Sequence, residues 1–102
     1  MELKIRDKDF FTKGNIYYLD YNNGLYTYIF KFKNINGINE IHSSCYIYNE
    51  QAKSNYVKTS AYIARTNDVM FKIRKATPDE ARWLRECIKA EKFIPFEKIP
   101  KN

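Results

Sequence analysis

Residues 68–88 read DVMFKIRKATPDEARWLRECI, and this stretch decides the fold. Val69, Phe71 and Ile73 alternate with Met70, Lys72 and Arg74, the period of two that marks a strand. Thr77-Pro78-Asp79-Glu80 then reads as a helix start. Thr77 supplies a capping hydroxyl, Pro78 has its φ pre-set for the first turn, and Glu80 stands three residues after the cap, where a capping box needs it. Trp83, Leu84, Cys87 and Ile88 fall on one face of the helix that follows, which runs from Pro78 to about Lys92. The stretch is therefore a strand passing directly into an amphipathic helix, and the upstream chain should supply the sheet that this helix covers.

Working outward, Asn15 to Tyr21 reads as a strand with bulky residues on both faces. Asn22-Asn23-Gly24 follows, a hairpin signal because Asn and Gly tolerate positive φ. The return strand is Leu25 to Lys33. Its even positions Tyr26, Tyr28, Phe30 and Phe32 form an aromatic row, and its odd positions, with Thr27, Lys31 and Lys33, read as the wetter face. Asn34-Ile35-Asn36-Gly37 is a second turn. In the strand Glu40 to Tyr48, Ile41, Ser43, Cys45 and Ile47 share one face by parity, and His42, Ser44, Tyr46 and Tyr48 the other. Residues 49–60 are polar and aperiodic and read as a long loop, while Ala61 to Ala64 is a short strand or part of it. Leu3 and Ile5 suggest a short edge strand. Pro95 keeps Phe93-Ile94-Pro95-Phe96 out of the helix, so this apolar tail should lie back on the core.

These elements give a β-rich α+β fold over residues 1–102, read as one domain. It is either a small SH3-like barrel or a curved antiparallel sheet of four to five strands, with one C-terminal helix. Both alternatives need the same alternation, and both remain open at the level of sequence. The composition agrees: 44% of residues are hydrophobic and 17% aromatic, with nine Tyr and seven Phe, types that favour strands. No apolar run is long enough to cross a membrane, and residues 1–7 lack the apolar stretch of a signal peptide. Two cysteines, Cys45 and Cys87, match neither a disulfide framework nor a zinc spacing, so a reduced, cytoplasmic protein is expected.

The charge is uneven. Residues 1–50 carry six basic and six acidic side chains, and residues 51–102 carry twelve and six, so the whole net charge of +6 lies in the second half. Such asymmetry serves solubility or an acidic partner, of which nucleic acid is the commonest. Lys31, Lys33, Lys72, Arg74 and Lys75 sit on strands. Arg82, Arg85 and Lys89 continue the charge along the helix at i, i+3 and i+7. Tyr17, Tyr46 and Tyr48 are the aromatics with which they interleave. A basic groove with flat side chains is what single-stranded nucleic acid needs. The expected interface is Lys72, Arg74, Lys75, Arg82 and Arg85 for phosphates, with Tyr17, Tyr46 and Tyr48 for bases. The alternative partner is a protein, docked on a sheet edge or an aromatic surface.

Catalysis is not expected. The lone histidine, His42, lies on the opposite strand face from Cys45 if the strand is regular, so a Cys–His pair lacks its hydrogen bond. No phosphate-binding glycine motif occurs, and the histidine and cysteine content is too small for a metal site. No cofactor is expected.

Ile73-Arg74-Lys75-Ala76-Thr77-Pro78-Asp79-Glu80, with Trp83-Leu84 and Cys87-Ile88-Lys89-Ala90, is similar to an I-R-x-A-T-P-E-E-x-x-W-L ending. That ending occurs in small uncharacterised proteins of gut-bacterial phages and prophages. The aromatic hairpin from Gly14-Asn15-Ile16-Tyr17-Tyr18 to Tyr28-Ile29-Phe30 resembles theirs as well. The resemblance implies a phage or mobile-element setting, a small β-rich domain and no enzymatic activity.

Overall fold

The computed structural model describes residues 10–21, 26–37, 39–50, 54–66 and 71–99. The expected edge strand at Leu3 and Ile5 and the turn Asn22-Asn23-Gly24 lie outside these residues. Among the described residues six strands, β1 (Ile16–Tyr21), β2 (Tyr26–Asn36), β3 (Glu40–Glu50), β4 (Ser54–Val57), β5 (Ala61–Arg65) and β6 (Phe71–Lys75), precede one α-helix, α1 (Pro78–Ala90). All pairings are antiparallel, and the order is β4-β3-β2-β1-β6, with β5 also on β3. The sheet is open, so of the two alternatives the antiparallel sheet with a C-terminal helix is the fold. The strand count exceeds the expected four to five because the polar segment 49–60 contains β4. β4 pairs with the Tyr46–Asn49 end of β3, and β5 pairs with its Glu40–Ser43 end. The two short strands thus share one edge.

Pairing between β2 and β3 breaks register twice, between Lys31 and Phe32 and between Phe32 and Asn34. A bulge adds one residue to one side of the ladder and bends the strand. It also changes which face a given parity occupies. Ile41 consequently packs with Phe32, Ile63 and Ala64, whereas Ile47 packs with Leu84 and Cys87 of the helix. The single face expected for Ile41, Ser43, Cys45 and Ile47 is divided by these bulges.

Each sheet face has its own core. On one, α1 buries Leu84 and Cys87 against Ile29 and Ile47, flanked by Ile16, Tyr18 and Tyr56. On the other, Tyr17, Leu19, Phe30 and Ile73 pack with Phe11, Phe32, Ile41 and Ile63. Burying each such side chain contributes roughly 1.5–3 kcal/mol. The odd positions of β2 as far as Lys31, expected to be the wetter face, lie on the face the helix covers, and Ile29 is buried there, while beyond the bulges Ile35 packs on the other core.

The helix start forms as its sequence dictates. Thr77 Oγ1 accepts from the Glu80 amide at 3.1 Å, and Glu80 Oε1 accepts from the Thr77 amide at 2.9 Å, closing the capping box. Glu91, with φ +56°, ends the helix, and its amide bonds to the Cys87 and Ile88 carbonyls. The tail then turns back. Trp83 Nε1 donates to the Ile94 carbonyl at 2.6 Å, and the indole packs against Phe93 and Phe96. Trp83 is only partly buried, so Leu84, fully buried, is the residue that seats the helix on the sheet.

Candidate functional site

The apolar stripe of α1 fixes the rotation of the helix. With Leu84 and Cys87 turned to the sheet, Arg82, Arg85 and Lys89 flank the seam where helix meets strand. Two clefts open along that seam. The larger, of about 390 Å³, is lined by Arg82, Arg85, Glu86, Ile88 and Lys89 from the helix and by Lys31 from β2. The smaller, of about 260 Å³, lies between Lys75 at the end of β6, Ala81 and Arg85 of α1, and Gly14 and Asn15 before β1. Arg85 belongs to both.

Small side chains make the smaller cleft: Gly14, Ala76 and Ala81 leave its floor open. Gly14 has φ +90°, a conformation that L residues rarely adopt, and its amide donates to the Phe32 carbonyl as the chain enters β1. A side chain there would strain the entry to the strand and narrow the cleft.

The electrostatics are one-sided. Five cations, Lys31, Lys75, Arg82, Arg85 and Lys89, line the two clefts, with one carboxylate, Glu86. Glu86 pairs with Lys89 at 3.3 Å, and Asp79 pairs with Arg82 at 3.0 Å. Lys31, Lys75 and Arg85 have no acid partner among the described residues. Arg82 Nε is buried without a hydrogen-bond partner. An anion in the larger cleft meets Lys31 and Arg85, and one in the smaller meets Lys75 and Arg85, each cation without an acid partner among the described residues.

The residues expected at the interface divide into three groups. Lys75, Arg82 and Arg85 come together at the clefts, joined by Lys31 and Lys89. Arg74 is engaged elsewhere: its guanidinium binds both Glu80 oxygens, at 2.8 and 2.9 Å, and lies 4.0 Å over the Tyr18 ring. Lys72 is exposed on β6 opposite Asp20 and lines neither cleft. The Glu80 hydrogen bond raises the Arg74 pKa further, so this guanidinium stays charged.

The tyrosines correct the expectation most. Tyr17 is fully buried, its hydroxyl accepting from the Thr12 amide at 2.8 Å and donating to the Phe10 carbonyl at 3.2 Å, so no base can reach its ring. Tyr46 and Tyr48 neighbour Ile47, which faces the helix, and strand alternation turns them to the opposite side of the sheet. There they join Tyr21, Tyr26, Tyr28 and Phe71 in a row of partly buried rings, with centroids 4.8 to 5.9 Å apart. Lys31, Arg82, Arg85 and Lys89 are thus separated from Tyr46 and Tyr48 by the thickness of the sheet, whereas Lys75, at the end of β6, is the register partner of Tyr17.

The contribution of Gly14, Asn15, Ala76 and Ala81 was not visible in sequence. Their small size is the one signal they carry, and it acquires meaning only when β1, β6 and α1 converge. Lys31 reaches the cleft because it pairs with Ile16 on the helix-covered face.

Cys45 and Cys87 are buried and unbridged, and burial pushes both thiols up, away from the reactive thiolate. His42 Nε2 lies 3.5 Å from Glu40 Oε1, with the ring edge-on to Tyr62. No group of three or more His, Cys, Asp or Glu among the described residues could hold a metal ion. No helix of the described residues is long and apolar enough to cross a membrane.

Comparison of the chain with protein-family models, with curated proteins and with solved structures gives no match, so the site is read from its own residues.

Proposed function

We propose that this chain is a non-catalytic nucleic-acid-binding protein that holds phosphates in the seam between α1 and the sheet. The observation that carries the reading is the pair of clefts sharing Arg85, where five cations meet one carboxylate. Phosphate contacts supply most sequence-independent affinity for nucleic acid, and Arg and Lys are the side chains that make them. Lys31, Lys75 and Arg85, which have no acid partner among the described residues, would each meet a phosphate of a backbone lying along the two clefts, and Arg82 would join them on leaving Asp79. The phage or mobile-element setting implied by the resemblance of the C-terminal segment belongs to the same proposal.

The test is fluorescence anisotropy with labelled DNA and RNA at about 50 mM salt, where phosphate-led binding is strong. Binding is expected, and Lys75→Glu with Arg85→Glu should weaken it at least tenfold while thermal melting stays near that of the parent, because both side chains are exposed. Lys72→Glu, outside the clefts, should weaken it far less. Absence of binding to every probe at low salt removes the proposal. The row of Tyr21, Tyr26, Tyr28, Tyr46, Tyr48 and Phe71 would then favour a second reading, a protein partner met by the sheet face.

A further inference from the structure

We infer that the clefts recognise the phosphodiester backbone alone, blind to the bases, and therefore take duplexes as readily as single strands; this deepens the proposed function and rests on it. Preference for single strands comes from flat side chains on which unpaired bases stack. Neither cleft has an aromatic residue in its lining. Tyr46 and Tyr48 lie across the sheet from α1, and Tyr17 is sealed in the core. A strand lying along the α1 seam therefore has its phosphates beside Lys31, Lys75 and Arg85, while the rings on that side of the sheet, Tyr18 and Tyr56, pack against the α1 core and line neither cleft.

Reading of base edges is equally unsupported. Base identity is read through fixed donors and acceptors, typically bidentate ones. In the smaller cleft the polar groups nearest the cations are already spent: the Gly14 amide on Phe32, the Asn15 amide on Thr12 and the Ala76 amide on Ile16. Asn15 offers the one neutral polar side chain in either lining. In the larger cleft Glu86 is paired with Lys89. What remains is the cations on both sides of Arg85, whose spread along the seam suits successive phosphates of one backbone; so engaged, they are not free to pair with base edges, and phosphate contacts carry no sequence information. A duplex presents more phosphate charge per unit length than a single strand, so charge alone gives it no disadvantage.

The experiment compares three labelled probes of equal length at low salt: a single-stranded DNA, the same backbone carrying abasic sites throughout, and a duplex. The abasic strand should bind within about threefold of the base-bearing one, and the duplex no more weakly than the single strand, as phosphate-led binding requires. Tyr46→Leu, which keeps an apolar side chain in its place, should leave all three affinities unchanged. Ala81→Gln, which adds bulk to the floor of the smaller cleft without adding charge, should weaken all three together. A tenfold loss on removing the bases, a tenfold preference for the single strand, or a tenfold loss in Tyr46→Leu would each overturn the inference while leaving nucleic-acid binding itself intact. Failure of all three probes would instead remove the underlying reading.

Discussion

Arg74 holds Glu80 through two parallel hydrogen bonds, Nη1 to Oε1 at 2.8 Å and Nη2 to Oε2 at 2.9 Å, across the junction between the last strand and the helix. The same Glu80 carboxylate accepts from the Thr77 amide. One acid thus closes the capping box and ties β6 to α1. The pair also commits a guanidinium that the charge pattern had offered to a ligand. Freeing Arg74 for a phosphate would mean breaking two charge-assisted bonds, the stronger class of hydrogen bond.

Glu80 gives the fold a pH dependence with a definite sign. Burial alone would push its carboxyl up, but the Arg74 guanidinium and the Thr77 amide outweigh this and hold it below the usual carboxylate range. A depressed folded pKa stabilises the fold fully above the unfolded value of about 4.3, and that stability is lost as pH falls through the folded value. Glu80→Gln should lower stability at neutral pH by about 1 kcal/mol, as expected for a partly exposed pair. The gap between the two proteins should narrow at acid pH, measured by circular dichroism melts across that range. Thr77→Ala, which removes the reciprocal cap, should cost about 1 kcal/mol.

Tyr17 separates core from site. Tyr17→Phe keeps the ring in its aromatic cluster and removes the hydroxyl that links the Thr12 amide to the Phe10 carbonyl. Leaving a partly buried amide without its acceptor should cost about 1–2 kcal/mol. Nucleic-acid affinity, measured well below the melting temperature, should be unchanged. A drop in affinity larger than the loss of folded protein would return Tyr17 to the interface.

The helix and tail respond to different residues. Leu84→Ala opens a void between α1 and the sheet and should cost about 2–5 kcal/mol, the range for a buried leucine. Trp83→Phe retains packing on Phe93 and Phe96 but loses the bond to the Ile94 carbonyl. It should melt within about 1 kcal/mol of the parent, the net worth of one hydrogen bond. Trypsin should then cleave faster after Lys92, the exposed residue between helix and tail. Equal cleavage rates in the two proteins would mean that the indole does not anchor the tail.

What could be read from sequence was what is decided within a few residues. The Thr77 cap, the strand alternation and the Leu84–Cys87 part of the helical stripe are local, and all three form where they are described, the strand over Phe71–Lys75, with Val69 and Met70 outside the described residues. What escaped depends on partners distant in sequence. The bulges at Lys31 and Phe32 arise from pairing with Cys45 and Ser43, and they send Ile41 and Ile47 to different cores. Parity alone separates Tyr46 from Ile47, yet it does not say which of them the helix covers. The odd face of β2 reads as wet because Ile29 stands with Thr27 before it and Lys31 and Lys33 after it, and only docking of Leu84 turns that face into a core. The clefts are one step further removed, since the smaller exists only once β1, β6 and α1 have met and the larger only once α1 has docked beside β2.

The salt dependence of binding counts the cations that meet phosphate. Each phosphate neutralised on a single strand contributes a slope of about −0.7 in log K against log salt, and on B-DNA about −0.9. Lys31, Lys75 and Arg85 are free of acid partners among the described residues, whereas Arg82 and Lys89 must first leave Asp79 and Glu86. Three free contacts give a slope of about −2 on single strands and about −2.7 on a duplex. Raising salt from about 50 to 200 mM should then weaken single-strand binding roughly twentyfold. Arg85→Glu should flatten the single-strand slope toward about −1.4, as one lost contact requires. A parent slope near −3.5 would mean that Arg82 and Lys89 abandon their ion pairs for phosphate, since about five contacts are needed to reach it. A slope shallower than about −0.7, less than one contact, would mean that the clefts hold no phosphate at all.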